Sequence, residues 1–306
     1  MAEPAGIGIA AVERDTGISK ETLRVWERRY GFPSPARDAG GERLYPPEQV
    51  QRLRLVKRLL DAGHRPGRLA AAPLQELVAL LQPVTSEPAM AGEAPEIAAC
   101  AALLQGHDVD GLRRALTQVA LRRGLGRGIV EVFAPLTTRV GELWMNGELQ
   151  VFEEHIFSEC LQHVLRQAVY AQPLPAAGGP RVLLTTLPGE GHALGLLMAE
   201  AMLGLEGAAC LSLGVQTPPA QLPAAAAVHR ADVVALSFSG FLPQRAVHEG
   251  LAALREQLPA GTEIWVGGAS RALRSGGLPE GVRCLDGLAA IAGEVNRWRE
   301  LLESRL

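Results

Sequence analysis

The chain has 306 residues, room for two or three domains, with 47% apolar and 21% charged residues and a net charge of −3. No apolar run approaches the roughly 18 to 20 residues that cross a bilayer. No charged-then-apolar leader opens the chain, so a cytoplasmic protein with no membrane partner is expected. The charge is uneven: residues 1–70 hold 13 Lys/Arg against 9 Asp/Glu, a net of +4 that leaves −7 for the rest. That asymmetry predicts an N-terminal module that meets an anion. Cys100, Cys160, Cys210 and Cys284 lie far apart with no zinc spacing and read as small buried side chains in a reducing compartment.

Residues 7–18, IGIAAVERDTGI, predict a short helix closed by a tight turn at Gly17-Ile18. Ser19 then caps a second helix, KETLRVWERRYG, which Gly31 stops. The segment FPSPARDAGGERLY, with two prolines, a Gly-Gly turn and a short strand, looks like a wing. In PPEQVQRLRLVKRLLD, residues Val50, Leu53, Val56, Leu59 and Leu60 make one apolar stripe that packs on it. A further helix, LQELVALLQ, leads to residues 83–95, a Pro/Ala-rich stretch without periodicity that predicts a linker.

Helix-turn-helix spacing places the second helix in a major groove of double-stranded DNA. TLRVWERRYGFPSPAR and GGERLY in one register resemble the MerR family of winged-helix transcription regulators. By that resemblance Thr22, Arg24, Arg28, Tyr30, Arg43 and Tyr45 are the DNA-binding residues, and residues 1–82 form the DNA-binding domain. Trp26 belongs to the core.

Residues 96–172 show four segments of 3.6-residue periodicity separated by glycine breaks, as in a four-helix bundle. From residue 180 to 306, five apolar runs alternate with loops and helical patterns: RVLLTT, AACLSLG, ADVVALSFS, EIWVGG and VRCLDG. Such a rhythm predicts a flavodoxin-like α/β domain, in which ligands bind beyond the carboxyl ends of the strands. The first run breaks into LPGEGHALG, so Glu190 and His192 are expected where ligands sit. Nucleotide fingerprints fail: Leu194 stands where a dinucleotide motif starting at Gly189 needs glycine, and the only lysines, Lys20 and Lys57, lie in no Walker A loop. No enzyme activity is expected.

Glu190-x-His192-x-x-Gly195 resembles the DxHxxG signature of cobalamin-binding domains, with Glu for Asp. That family continues with SxL and GG. Here Ser237-Phe238-Ser239 follows after 41 residues and Gly267-Gly268 after 27 more, with Ser239 standing for Leu. The resemblance implies cobalamin, with His192 as lower axial ligand to cobalt, Glu190 bonded to its other nitrogen, and Gly195, Ser237, Ser239, Gly267 and Gly268 around the nucleotide tail. The bundle is similar to the cap of corrinoid proteins.

Trp144 and Glu154-His155, with nine residues between Trp144 and Glu154, resemble the W-x9-EH motif of the CarH/LitR branch of MerR regulators. The resemblance implies adenosylcobalamin, with Trp144 over the corrin and Glu154 and His155 at the adenosyl group. It also implies a light-released homo-oligomeric repressor, a tetramer in that branch. Met145 stands where light-sensing members carry a histidine, and a thioether is a softer, weaker cobalt ligand than imidazole. Three alternatives stay open: a regulator that senses cobalamin level, alkyl type or redox state, a corrinoid methyl-transfer protein, and a cofactor-free repressor with a relic pocket.

Overall fold

The computed structural model describes residues 6–38, 40–61, 66–73, 76–77, 94–173, 175, 178–240, 242–259 and 261–304. The chain divides into two compact units, Met1–Thr85 and Ser86–Leu306. Most of LQELVALLQ and of the expected linker lies outside the described residues.

In the first unit, β1 (Ile7–Gly8) precedes α1 (Ile9–Thr16), so the expected helix begins two residues late. Ile7 and Gly8 pair instead with Tyr45 and Leu44 of β3 (Arg43–Tyr45), and Gly6 passes so near the Tyr45 carbonyl that a Cβ would lie 2.9 Å from its oxygen. Gly17, left-handed at φ 69°, turns the chain into α2 (Lys20–Tyr30), where the Ser19 side chain accepts from the Thr22 amide. β2 (Ala36–Arg37) completes an antiparallel sheet of order β1-β3-β2, the wing. α3 (Pro47–Asp61) buries Val50, Leu53, Val56 and Leu59 while Leu60 stays half-buried, and α4 (Pro66–Ala71) follows.

The second unit opens with α5 (Pro95–Gln105), α6 (Val109–Arg123), α7 (Leu125–Gly128), α8 (Ala134–Met145) and α9 (Val151–Tyr170). Between α7 and α8, Ile129–Phe133 form a π-helical turn closed by the Ala134 amide on the Ile129 carbonyl. Pro135 lacks an amide, and its ring would crowd the Glu131 carbonyl in a regular helix; the wider turn relieves that clash.

Five parallel strands follow: β4 (Arg181–Thr185), β5 (Ala209–Ser212), β6 (Val233–Ser237), β7 (Glu263–Gly267) and β8 (Val282–Cys284), in the order β5-β4-β6-β7-β8. Helices α10 (Leu194–Leu205), α11 (Leu222–His229), α12 (Gln244–Gln257) and α13 (Ile291–Glu303) cover the faces. The connection from β7 to β8 carries only a 3-10 turn, Arg271–Leu273, rather than a full repeat, because the positive-φ glycines Gly268, Gly276, Gly277 and Gly281 interrupt it. Alternation along the strands splits the interior. Val182, Leu184, Val233 and Ala235 join α10, α13 and the bundle in one core, whereas Leu183, Val234, Leu236, Ile264 and Val266 pack on the other side with α11 and α12. Bundle and sheet therefore share a continuous core, and the bundle lies over α10 rather than forming a separate body.

Cys100 and Cys160 are buried as expected, but Cys210 is only half-buried and Cys284 is exposed, because β5 and β8 are the edge strands. Among the described residues no helix is long and apolar enough to cross a membrane.

Candidate functional site

The strand order reverses between β4 and β6, so the loops leaving those two strands flank the switch point at which open parallel sheets bind ligands. The first loop is shaped by its sequence. Pro188 and Gly189, the latter at φ 88°, fill the central positions of a turn closed by the Glu190 amide on the Leu187 carbonyl (3.1 Å), the residues and signs a type II turn requires. Leu187 anchors the turn in the core. Thr186, buried at the end of β4, donates its hydroxyl to the Glu190 carbonyl (2.6 Å) and accepts from the Gln216 amide (2.8 Å), tying the loops after β4 and β5 together. Gln216, itself at φ 61°, accepts from the Gly189 amide through its side chain (3.3 Å). Sequence reasoning passed over Thr186 and Gln216; a hydroxyl at a strand end beside a Pro-Gly turn is the signal that points to the first.

The turn points the Glu190 carboxylate inward, with 0% exposure. Its Oε1 accepts from the amide (3.1 Å) and Nδ1 (2.5 Å) of His192. Its Oε2 accepts from the amide (2.8 Å) and hydroxyl (2.7 Å) of Ser239, which follows β6. Burial pushes the Glu190 pKa up, but the bonds from His192 and Ser239 outweigh it and hold the carboxyl below its ordinary value. Glu190 is therefore a buried anion, and its acceptance from Nδ1 leaves Nε2 as the nitrogen to ligate a metal. Ser239, which stands for the leucine of the motif, completes the carboxylate's shell with its hydroxyl.

The remaining motif residues line the same rim. Ser237 pairs in register with Gly267 at the ends of β6 and β7. A Cβ on Gly195 would sit 2.9 Å from the Ser237 hydroxyl, and one on Gly268, at φ 119°, would sit 2.2 Å from the Phe238 carbonyl. Both glycines are thus required by the close approach of neighbouring protein atoms, while Gly267 meets only ordinary contact. A single oriented imidazole fits a corrin, which supplies four nitrogens of its own and asks the protein for one further ligand.

On the bundle, Trp144 and Met145 end α8, both half-buried, with Trp144 against the shared core. Glu154 lies in the first turn of α9, which begins at a capping box between Gln150 and Glu153. The half-buried Glu154 carboxylate accepts from Ser158 (2.8 Å) and pairs with Nδ1 of His155 (2.8 Å), whose side chain is 71% exposed. The structure thus joins Glu154 to His155 as a pair.

In the N-terminal unit, Arg24 and Arg28 are exposed on α2, with Thr22 and Tyr30 half-buried at its two ends. Trp26 is buried, as expected. Tyr45 corrects its assignment as a DNA contact. It is 0% exposed because β3 turns it inward, against the helices. Arg43, a quarter exposed, gives its Nε to Glu27 of α2 at 2.8 Å, which staples wing to helix.

Comparison with known proteins agrees with both units. Residues 8–71 match the model of the MerR HTH family regulatory protein, and residues 97–168 and 180–277 each match a B12 binding domain. The HTH-type transcriptional repressor CarH of Myxococcus xanthus is 32% identical over 259 residues, 83% of this chain and 86% of CarH. The repressor CarA of the same organism is 34% identical over 257 residues, 82% of each chain. A monomethylamine corrinoid protein of Methanosarcina barkeri shares the fold of the second unit, with a TM-score of 0.52 at 18% identity over 65% of this chain and 96% of that one. With a winged helix that matches MerR regulators, a cap and sheet that match B12-binding domains, and a repressor relative alignable over most of its length, the chain belongs to the CarH/CarA family of MerR-type, B12-binding transcriptional repressors.

Proposed function

We propose that the chain represses transcription from a double-stranded operator as an adenosylcobalamin-stabilised homo-oligomer, a tetramer by family resemblance, and that light releases it. The buried Glu190 carboxylate carries this reading: it gives His192 one tautomer at the switch point of the sheet. His192 Nε2 would ligate the cobalt, and Gly195, Ser237, Gly267 and Gly268 would border the nucleotide tail. Trp144 and Met145 would contact the corrin, with Glu154 and His155 at the adenosyl group. When bound, adenosylcobalamin supplies a cobalt–carbon bond that light cleaves. Residues of the bundle act by contacting the alkyl group, so that the oligomer is favoured only while that group is present; without such differential binding no signal passes. Arg24 and Arg28 would meet DNA, and linking several winged helices multiplies weak single-site affinity. Such a protein works in the cytoplasm and catalyses no turnover.

Met145 favours a second reading, in which cobalamin level, alkyl type or redox state is the cue: a thioether, a weaker cobalt ligand than imidazole, stands where the light-sensing members carry a histidine. Size-exclusion chromatography with in-line absorbance, on protein reconstituted with adenosylcobalamin in the dark and then lit with green light, separates the two. A dark oligomer that dissociates in light supports the first. Retained cobalamin with an elution position indifferent to light transfers the role to the second.

A further inference from the structure

The turn between α5 and α6 gives a left-handed position to a large side chain. Helix α5 closes with the His107 amide on the Leu104 carbonyl (3.1 Å) and the Asp108 amide on the Leu103 carbonyl (3.0 Å), a pattern whose left-handed position usually falls to glycine. Here that position is His107, at φ 58°, while the adjacent Gly106 sits at φ −82°, where any residue is at ease. A glycine one place later would relieve the backbone, so the strain points to a task for the imidazole.

That imidazole reaches the first turn of α9. Its Nε2 lies 3.1 Å from Oε1 of Glu153, and its ring stacks on Phe152 with centroids 6.1 Å apart and planes 12° from parallel. Glu153 is the capping-box carboxylate, whose Oε2 accepts from the Gln150 amide (2.6 Å). Its side chain is only 8% exposed, in a hollow walled by Leu103, Leu104, Val109, Leu112 and Ile156. Water reaches this carboxylate poorly, so His107 does for Oε1 what the Gln150 amide does for Oε2. The next two residues of α9 are Glu154 and His155. We infer that His107 is a positioning residue: from the α5–α6 turn it clamps the start of α9, places the Glu154–His155 pair, and so sets how far the site prefers an adenosyl group to a methyl group. The inference rests on the proposed function for what the pair meets; the clamp itself does not.

Three variants of the full chain separate side chain from backbone. His107→Asn tolerates the left-handed conformation but falls short of Glu153, His107→Gln carries an amide donor about as far as Nε2, and His107→Gly removes side chain and strain together. Hydrogen–deuterium exchange of the cofactor-free protein reads the opening of residues 150–156. Titrations in the dark read affinity for adenosylcobalamin and for methylcobalamin. The asparagine and glycine variants exchange the first turn of α9 about tenfold faster and lower the adenosyl-to-methyl affinity ratio about tenfold, the worth of one hydrogen bond to a charged group. Methylcobalamin affinity stays within about threefold in both, and the glutamine variant restores exchange and ratio. Loosening of the bundle as a whole would weaken both cobalamins alike, and that result overturns the inference, as does unchanged exchange in the asparagine and glycine variants. If the original chain binds the two cobalamins equally, the reading of Glu154 and His155 as adenosyl contacts fails and takes the preference with it. Exchange in the cofactor-free variants then decides the clamp alone: faster in asparagine and glycine but not in glutamine upholds it, and equal rates in all three overturn it.

Discussion

The loop after β4 and the wing after α2 both carry dense sequence motifs, yet they treat their polar residues differently. In the loop, Glu190, His192 and Ser239 converge on one carboxylate. In the wing, Arg43 spends its guanidinium on Glu27, and Tyr45 is core, so two of the residues marked for DNA work inside the unit. The difference lies in backbone geometry. A loop leaving a parallel strand beside the switch point can aim its polar groups at one crevice, because no second face competes for them. A three-residue strand alternates its side chains, and one of its faces must be buried whatever the side chains are.

The sharpest break of this contrast is His192→Ala. Removal of the only protein ligand proposed for cobalt is expected to lower cobalamin affinity by about a hundredfold or more, past the range for outer-shell partners. Visible-absorbance titration measures it, and affinity within a few-fold of the original would remove axial ligation from the account.

Much of the second unit was legible because its signals are periodic and its motif spacings span a regular sheet. Val182 to Leu184, the apolar runs of β6 and β7, and the spacing of Ser237 and Gly267 fixed strand ends that the structure puts in register. The sequence reading missed what depends on contact between segments. Nothing in GGERLY says that Tyr45 turns inward, since its partners come from other segments, and Ile7-Gly8 becomes a strand only because β3 offers an edge. Ser239 was visible as a departure from a motif, but its value appears only once Glu190, 49 residues away, is seen to reach it.

Tyr45 separates burial from DNA contact. Tyr45→Ala is expected to cost about 3 to 5 kcal/mol, the range for deleting a buried aromatic ring, and to lower the unfolding temperature of the first unit while cobalamin binding stays intact. The Tyr45 hydroxyl is buried and has no hydrogen-bond partner among the described residues, so Tyr45→Phe should be neutral or mildly stabilising. A phosphate contact through that hydroxyl would instead show as weaker operator binding by Tyr45→Phe in a fluorescence-anisotropy titration at unchanged thermal stability.

The smallest effect discriminates between arginines. Arg24 and Arg28 are exposed on α2, so each, if it neutralises a phosphate, releases counterions on binding. Replacing either by alanine should reduce the slope of log affinity against log salt by about 1. Arg43 differs because Glu27 already balances its charge at 2.8 Å. Arg43→Ala is expected to weaken operator binding by loosening the wing from the helix while leaving the slope nearly unchanged, and Glu27→Gln should weaken binding in the same slope-neutral way. Anisotropy titrations at several salt concentrations between about 50 and 200 mM resolve this. A slope lost with Arg43 but kept with Arg24 and Arg28 would reverse the roles, making the wing the phosphate clamp and the helix its support.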